Sequence, residues 1–544
     1  MFDNIYQALT RQARERGEET ALITRKGRGG YQSWTFGEIH EESRALARGL
    51  SSLGVAKGDR VILMVPPSRE FISVTFALFS LGAVVILIDP GMGFRNLGRS
   101  LGQVTPRVFI GSSKAQLFKL LSGQALKSVR LNLGTDPVSR LFAVNLKKVK
   151  QNLPPARAPE PVSGQDDPAA VVFTTGSTGP PKGVLYTHRV FASQLSLIRD
   201  YYNIRPGDRD QPAFPLFGLF SIGLGATVVL PEMDPSRPAN VRPAGFIRTI
   251  LEQEVSYSFG SPAIWNVVSR YCLRKKISLP SLKKVLMAGA PVSGELVERV
   301  GKILPAQAEI HTPYGATEAL PLASIEGREI LSETRGKSRE GQGTCVGRSL
   351  PGIEIQVIKP VPGPLACWSE AAVCSAGEIG EIVVKGEVVT PAYDRLPEAT
   401  DKAKISDGDS IRHRMGDMGY FDQQGRLWFC GRKAHRVLTD GGTLYPIPCE
   451  AVFNEHPLVY RSALVGIGPA GNQKPVIIIE PAKGRVDKQK LLADLKDLAA
   501  RNPLTSDIET FLIHPSFPVD IRHNAKIFRE KLADYASGRL RGHS

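Results

Sequence analysis

The stretch from Val171 to Val184, VVFTTGSTGPPKGV, has the residue types of a loop that holds a phosphate chain. A short β-branched run leads into glycines, which permit turns that other residues resist, and into hydroxyls that can donate hydrogen bonds. Lys182 adds a point charge for phosphate oxygens. The loop is not a Walker A motif, because Lys182 follows Pro181 and precedes Gly183. The predicted phosphate contacts are Thr174, Thr175, Gly176, Ser177, Thr178, Gly179 and Lys182.

Four further motifs place polar or glycine-rich turns after apolar runs. They are VLMAGAP at 285–291, HTPYGATE at 311–318, MGDMGYFD at 415–422 with Gly431-Arg432 after it, and NAKIFR at 524–529. Each is weak taken singly, since a lone glutamate or lysine in a turn is usually only solvated. Together they supply carboxylates, an aromatic ring and a lysine in one chain.

In this order and at these spacings the motifs resemble those of the AMP-forming adenylating enzymes. This family includes acyl-CoA ligases, peptide-synthetase adenylation domains and luciferases, and the resemblance covers residues 20 to 530. It implies that ATP and Mg²⁺ are the cofactors. A carboxylate that attacks the α-phosphorus of ATP meets another anion, so a metal ion and cationic side chains must first cancel the repulsion.

The resemblance also implies roles for individual residues around the nucleotide. Glu318 matches the metal-binding glutamate, and Thr317 lies beside it toward the phosphates. Asp417 matches the carboxylate that accepts hydrogen bonds from both ribose hydroxyls, and Arg432 the basic residue next to it. Lys526 matches the lysine that stabilises charge as pyrophosphate departs. The predicted adenine contacts are Tyr314, which stacks on the ring, with Gly315, Gly289, Ala290 and Pro291.

The chain alternates helical and strand patterns, which predicts an α/β fold with largely parallel sheets. Its 544 residues are too many for one ordinary core. We expect a large N-terminal adenylating domain of layered α/β subdomains at 1–430, a hinge at 431–436 and a small, mobile C-terminal α+β domain at 437–544 that carries Lys526. Phe71 to Ile88 is uncharged, but Gly82 divides it, so we interpret it as a buried helix followed by a strand and not as a membrane span.

The apolar run that begins at Phe214 predicts the acyl pocket. If the adenylating interpretation holds, this run lies beside the acyl group, and abundant Phe and Leu would suit a long alkyl chain. The predicted pocket residues are Phe214, Phe217, Gly218 and Phe220.

Two positions depart from the family pattern. Gly218 stands where the family often has histidine, and Ala434 stands where a charged hinge residue is usual. In most of the family the small domain swings about this hinge to bring in a thiol acceptor. Ala434 does not forbid the swing, but it puts the thiol-transfer half-reaction in doubt.

ILIDPGMG at 86–93, HTPYGATEAL and the ending DIRHNAKIFREKLADYA are most similar to the family branch that makes β-lactones in olefin biosynthesis. This resemblance implies adenylation of a long-chain 2-alkyl-3-hydroxy fatty acid, whose own hydroxyl then closes a β-lactone and releases AMP. Other enzymes of that pathway are expected partners. The alternatives are a long-chain acyl-CoA or acyl-AMP ligase and a catalytically silent nucleotide-binding scaffold. Against the scaffold stand Lys182, Glu318, Asp417 and Lys526, which are all present.

Charge and cysteine content set the remaining limits. The formal charge is +16, and residues 114–160 carry nine basic against two acidic side chains. We interpret this excess as a solvated basic face that draws in anionic nucleotide, not as a nucleic-acid binding surface. We interpret Lys114 to Arg130 as a basic amphipathic helix whose basic face is solvated, rather than as a membrane-surface helix. Six sparse cysteines without a CxxC pair and an N-terminus without an apolar signal core predict a cytoplasmic protein.

Overall fold

The computed structural model describes residues 3–27, 29–88, 93–123, 125–151, 163–174, 180–484, 486–519 and 526–541. Its elements form two large, mainly parallel sheets, a mainly antiparallel third sheet and a small C-terminal α+β unit. The predicted fold class is confirmed by this architecture.

The first 151 residues alternate helices and strands as the sequence predicts. The elements are α1 (Tyr6–Arg16), β1 (Thr20–Arg25), β2 (Tyr31–Thr35), α2 (Phe36–Ser52), β3 (Arg60–Met64), α3 (Arg69–Ser80), β4 (Val84–Leu87), α4 (Phe94–Gln103), β5 (Val108–Gly111), α5 (Ser113–Leu121), β6 (Leu131–Gly134), β7 (Val144–Asn145) and α6 (Leu146–Gln151).

Helix ends in this segment follow local side-chain chemistry. Thr35 and Glu38 form a reciprocal capping box that starts α2. Ser68 caps α3, and the chain turns at Leu81-Gly82 into β4, which confirms the helix and strand predicted for Phe71 to Ile88. The helix predicted for Lys114 to Arg130 is too long. It ends at Leu121, because the chain turns at Ser122 and Gly123.

The middle of the chain adds strands to both parallel sheets and starts the third. The elements are β8 (Pro168–Phe173), β9 (Gly183–Thr187), α7 (His188–Tyr201), β10 (Arg209–Asp210), α8 (Pro215–Gly223), β11 (Thr227–Val229), α9 (Pro243–Glu252), β12 (Tyr257–Gly260), α10 (Pro262–Lys275), β13 (Lys284–Met287), α11 (Gly294–Gly301), β14 (Glu309–His311), β15 (Tyr314–Ala316), β16 (Ala319–Ser324), α12 (Gly327–Glu329) and α13 (Arg335–Arg339).

The last part completes the third sheet and forms the small unit. The elements are β17 (Thr344–Ser349), β18 (Glu354–Ile358), β19 (Gly380–Lys385), β20 (Ala392–Tyr393), α14 (Pro397–Ala403), β21 (Lys404–Asp407), β22 (Ser410–Phe421), β23 (Leu427–Arg432), β24 (Val437–Thr439), β25 (Gly442–Leu444), α15 (Pro446–Asn454), β26 (Val459–Ile467), β27 (Lys474–Pro481), α16 (Lys488–Arg501), β28 (Thr510–Ile513) and α17 (Arg529–Arg541).

The strand orders place the ends of several strands around one cleft. One parallel sheet runs β14-β13-β12-β10-β11-β1-β2, and the other runs β20-β9-β8-β4-β3-β5-β6-β7. The third sheet runs β15-β16-β17-β23-β22-β19-β18, with β21 beside β22. The turns after β8, β13 and β14 and the β22–β23 pair all contribute residues to the cleft.

The C-terminal unit has a core of its own. The sheet β26-β27-β28 packs its apolar side chains against α15 and α16 on one side and against α17 on the other. A single turn, Lys433–His435, connects this unit to β23. The domain boundaries at 430 and 437 stay a prediction, and so does the movement of the small domain.

Candidate active site

A cleft of about 1100 Å³ lies between the large part of the chain and the C-terminal unit. Most of the residues predicted from the sequence line it. They are Thr174, Lys182, Phe214, Phe217, Phe220, Gly289, Ala290, Pro291, Tyr314, Gly315, Thr317, Glu318, Asp417, Arg432 and Lys526. Thr175, Gly176, Ser177, Thr178 and Gly179 lie outside the described residues.

Gly218 is not among the residues that line the cleft. It is buried on α8, where an added Cβ would come within 3.4 Å of Val228 and 3.5 Å of Pro212. Its contribution to the substrate pocket stays a prediction.

One end of the cleft contains a hydrogen-bonded group around Asp417. The Tyr314 hydroxyl donates to Asp417 Oδ2 at 2.7 Å, and Arg432 Nη1 lies 3.0 Å from Oδ1. Asp417 and Arg432 are direct partners across β22 and β23, so the sheet register sets this pair. Burial raises the pKa of Asp417, and the charge of Arg432 and the Tyr314 hydrogen bond oppose that rise.

Asp417 Oδ1 accepts no well-aligned hydrogen bond within the described part of the chain, although Arg432 is close. A buried carboxylate oxygen without a donor is costly unless a ligand supplies one. The arrangement can therefore accept a hydrogen bond from a ligand hydroxyl. Gly289, with φ of 93°, makes the tight turn after β13 and also lines the cleft.

The cationic end of the phosphate loop is fixed by β8 and β9. The Thr174 backbone N–H donates to the Lys182 carbonyl at 2.9 Å, and the Lys182 N–H donates to Thr174 Oγ1 at 3.1 Å. Lys182 Nζ then lies 4.7 Å from the centre of the Tyr393 ring. The ring face holds the ammonium group at the edge of the cleft.

Tyr393 also orients the glutamate that the sequence assigns to the metal. Its hydroxyl donates to Glu318 Oε1 at 2.7 Å. The Glu318 carbonyl accepts from the backbone N–H of Thr390 at 3.0 Å and from its hydroxyl at 2.9 Å. Nearby, Tyr186 donates to the Thr317 carbonyl at 2.6 Å. The turn that carries both predicted residues is thus held from two sides.

A buried lysine, Lys404, contacts the hydrogen-bonded group around Glu318 through Thr390. Lys404 Nζ donates to the Thr390 carbonyl, and burial lowers the pKa of Lys404 to about 7 although the charge of Glu318 opposes the shift. Sequence reasoning missed Tyr393, Thr390 and Lys404. A lone tyrosine, threonine or lysine carries no pattern, and only the fold brings these three to Glu318.

The opposite end of the cleft is mostly aromatic and aliphatic. Helix α8 lines it with Phe217 and Phe220, and the Phe217 ring stacks on Phe259 with centroids 4.0 Å apart. Leu224, eight residues beyond Leu216, extends the same wall by about 12 Å at the helical rise per residue. This length suits an alkyl chain.

Three polar side chains interrupt the apolar wall. The Ser221 hydroxyl donates to Asp210 Oδ2 at 2.6 Å, and the Tyr257 hydroxyl donates to Ser221 Oγ at 3.0 Å. Burial raises the pKa of Asp210 to about 8, so this carboxyl is mostly protonated at neutral pH. Asp210 Oδ1 accepts no well-aligned hydrogen bond within the described ranges. Sequence reasoning gave no signal for Asp210, which lies on a two-residue strand.

Lys526 reaches the cleft just before α17 begins. The helix start is anchored by Arg529, which pairs with both carboxylate oxygens of Glu450 and donates to the Leu464 carbonyl at 3.3 Å. Glu450 in turn accepts from the Leu464 N–H at 2.8 Å. The lysine therefore lies three residues before an anchored helix start, and its charge acts on Asp417.

The turn between β23 and the small unit is held on its N-terminal side. Lys433 Nζ lies 2.7 Å from Glu381 Oε2 and donates to the Val361 carbonyl at 2.6 Å, and Arg414 pairs with the same glutamate at 2.7 Å. Ala434 is exposed. The position without the usual hinge charge thus follows directly after a firmly anchored lysine.

The chain belongs to the AMP-binding enzyme family, whose model matches residues 9–394. The predicted use of ATP agrees with this family. Among named relatives, an olefin beta-lactone synthetase of Stenotrophomonas maltophilia is 43% identical over 99% of this chain and 98% of the relative. An olefin beta-lactone synthetase of Xanthomonas campestris is 42% identical over 98% of this chain and 97% of its own length. The predicted family and branch are therefore confirmed.

Other relatives and solved structures are more distant. The long-chain-fatty-acid–CoA ligase FadD13 of Mycobacterium tuberculosis is 26% identical over 80% of each chain. The O-succinylbenzoate coenzyme A synthetase of Bacillus subtilis, solved with AMP, is 21% identical with a TM-score of 0.76 over 98% of each chain. The amide bond synthetase McbA of Marinactinospora thermotolerans is 21% identical with a TM-score of 0.78 over 98% of this chain and 99% of that one. These structures share the fold, with its large and small domains.

Within the described ranges, none of the helices is long and apolar enough to cross a membrane.

Proposed function

We propose that this chain is an ATP-dependent β-lactone synthetase that acts on a long-chain 2-alkyl-3-hydroxy fatty acid. The observation that carries the proposal is the division of one cleft into two ends, with Lys182, Glu318, Asp417 and Lys526 at one end and the aromatic wall of α8 at the other. The names of the two relatives above 40% identity support the same reaction.

In the first step the carboxylate attacks the α-phosphorus of ATP and pyrophosphate leaves. Asp417 and Arg432 bind the ribose, Tyr314 contacts the adenine, and the loop at 174–182 contacts the phosphates. Lys526 stabilises the charge that builds up as pyrophosphate departs. The small domain brings this lysine into place and excludes water.

Magnesium fits the residues around Glu318. Glu318 lines the cleft, and its Oε1 accepts a hydrogen bond from the Tyr393 hydroxyl. No three His, Cys, Asp or Glu side chains converge in the described chain, and one carboxylate completed by phosphates and water is a usual magnesium site. When bound, the ion neutralises charge on the phosphates.

In the second step the 3-hydroxyl attacks the acyl carbon of the adenylate. The C–O bond to AMP breaks, the four-membered ring closes and the hydroxyl proton is lost. Because nucleophile and acyl group belong to one molecule, the effective concentration of the nucleophile is very high. No thiol enters, which suits the exposed Ala434 in the hinge. We also place the enzyme in the cytoplasm, alongside other enzymes of an olefin pathway, and its six free thiols agree with a reducing compartment.

A product assay tests the proposal. The enzyme is given ATP and either a 2-alkyl-3-hydroxy acid or its 3-deoxy analogue, with and without CoA, and products are identified by mass spectrometry. We expect the hydroxy acid to give AMP and a product lighter by one water without CoA, and the deoxy acid to stall as acyl adenylate. If CoA converts both acids to thioesters at equal rates, the chain is an acyl-CoA ligase. If no acid yields AMP, the silent-scaffold alternative is correct.

A further inference from the structure

A group of exposed apolar side chains lies at the edge of the second parallel sheet, far from the cleft. Of sixteen large apolar side chains that are exposed in the described chain, seven fall between residues 117 and 144. Single exposed leucines are normal on a protein surface, but a contiguous apolar patch marks an interaction site.

Helix α5 carries the first part of this patch. Leu117, Leu120 and Leu121 are exposed by 56%, 57% and 67%, and their spacing puts them on one face of the helix. Ala115 and Gln116 are the buried residues of this helix. Phe118 packs against the core, but the helix turns three leucines toward solvent beside Lys114, whereas the sequence predicted a solvated basic face.

The orientation of α5 is fixed by hydrogen bonds. Gln116 Nε2 donates to the Leu133 carbonyl on β6 at 3.0 Å, and Asp136 Oδ2 accepts from the Ser113 N–H at the helix start at 2.6 Å. The leucines cannot rotate inward unless these contacts break. Their exposure is a property of the fold.

The turn that follows β6 continues the patch. The 3₁₀ turn Val138–Leu141 lies close to α5 and to β7, so its exposed apolar side chains belong to the same edge of the sheet. Leu141 is 78% exposed, and Phe142 and Val144 are about half exposed. The Phe142 carbonyl accepts from Asn132 Nδ2 at 3.0 Å, which ties this segment to β6.

Exposed basic side chains lie on the same segments of the chain as the apolar ones. Lys114 and Lys127 are exposed near α5, and Lys147 and Lys148 are exposed on α6 after β7. The only acidic side chain between residues 113 and 151 is Asp136, whose carboxylate already accepts backbone hydrogen bonds from Ser113, Val138 and Ser139. These four lysines give the edge a positive charge, which is complementary to a negatively charged surface.

We propose that this apolar–basic edge, residues 113–148, docks the enzyme on an anionic lipid membrane. Leucine side chains insert at the boundary between headgroups and acyl chains, and the lysines contact lipid phosphates. The inference rests on the proposed function in one respect: a long-chain fatty acid substrate is concentrated in membranes, so docking there would bring the enzyme close to it.

The position of the edge leaves the cleft free. Strands β4, β3, β5 and β6 separate β7 from β8, which leads into the phosphate loop. At the usual strand spacing this is about 24 Å. Docking through this edge therefore leaves the β8 side of the sheet, where the cleft lies, unobstructed.

Vesicle co-sedimentation of the full-length enzyme, without ATP or fatty acid, tests the inference. We expect binding to vesicles that contain phosphatidylglycerol to be at least about tenfold tighter than binding to phosphatidylcholine alone, and to weaken as salt is added. Changing Leu120→Asp together with Leu121→Asp should weaken binding by more than about tenfold, because buried leucine surface is lost. Changing Lys147→Glu together with Lys148→Glu should also weaken it by about tenfold or more.

Matched changes elsewhere serve as controls. Leu251→Asp with Leu273→Asp alters two exposed leucines on α9 and α10, and Lys496→Glu alters an exposed lysine on α16. These variants should bind vesicles like the wild type. Pyrophosphate release with a short, soluble acid reports whether every variant is folded and active.

Three outcomes would overturn the inference. They are equal binding to both kinds of vesicle, unchanged binding by the leucine variant, and a wild-type dimer without vesicles that the leucine variant converts to monomers, which would make the edge an interface with a second copy. Vesicle binding with no pyrophosphate release from any acid would support this inference while contradicting the proposed function.

Discussion

The two ends of the cleft, one with Glu318 and Asp417 and the other with the aromatic wall of α8, differ in the number of charged side chains and in the hydrogen bonds that hold them. At the end proposed to bind the nucleotide, Tyr393 holds Glu318, and Tyr314 and Arg432 hold Asp417. At the end proposed to bind the acyl chain, three linked polar side chains, Asp210, Ser221 and Tyr257, interrupt a wall of aromatic and aliphatic side chains. The difference indicates that the first end fixes the chemistry and that the second selects the substrate by shape and length.

The largest effect on activity is expected at Lys526. Lys526→Ala should leave ATP binding largely intact and slow pyrophosphate release by about 10²–10³, the usual loss when a charge-stabilising donor is removed. Stopped-flow measurement of pyrophosphate release, with calorimetry for ATP affinity, checks both parts. Wild-type release by this variant would remove Lys526 from the mechanism, and Lys531→Ala on α17 is the matched control.

Asp417 should matter for binding more than for rate. Asp417→Ala should weaken ATP affinity by about 1–3 kcal/mol, because charge-assisted hydrogen bonds to the ribose are lost. Tyr314→Phe keeps the ring and the carboxylate and should cost less. An ATP affinity that stays unchanged in Asp417→Ala would contradict the assignment of the nucleotide end.

Tyr393 tests whether the held glutamate is needed. Tyr393→Phe keeps the ring beside Lys182 and removes the hydroxyl that donates to Glu318. We expect a loss of about tenfold in turnover at low magnesium, from one hydrogen bond to a charged group. Excess magnesium should restore part of the rate of Tyr393→Phe. Glu318→Gln removes the carboxylate charge itself, so the turnover of that variant should depend less on magnesium. Identical magnesium titrations for wild type and Tyr393→Phe would show that the hydrogen bond has no role.

Asp210 gives a smaller, pH-dependent effect at the acyl end. Its pKa is about 8 in the fold, and the ordinary value is 3.8, so between these values the folded chain retains a proton that the unfolded chain loses. Folding stability from this group is therefore full below pH 4 and declines as pH rises toward 8. Asp210→Asn cannot ionise, so its stability advantage over the wild type should grow by about 1 kcal/mol per pH unit from pH 5 to 7. Denaturation curves of both proteins at pH 5 and pH 7 give this difference in unfolding free energy. A difference that is the same at both pH values would contradict the raised pKa.

The same contrast explains what could be predicted from sequence. The nucleotide end is built from short motifs that resemble those of the adenylating family, so Lys182, Glu318, Asp417 and Lys526 could be proposed without a structure. Tyr393 and Lys404 could not, because their partners are distant along the chain and their local sequence has no chemical pattern. Asp210 lies on a strand too short to show a period, and the outward face of α5 depends on Gln116 and Asp136, whose contacts exist only in the fold.

Oxygen labelling tests the central claim, that the carboxyl group is activated and the hydroxyl then attacks it. The enzyme is given a 2-alkyl-3-hydroxy acid with ¹⁸O in the 3-hydroxyl, and AMP and the product are analysed by mass spectrometry. The mechanism predicts that the label stays in the lactone ring and that AMP is unlabelled, since AMP takes its oxygen from the carboxylate. Label in AMP would mean that the hydroxyl is activated instead, and would contradict the proposed mechanism.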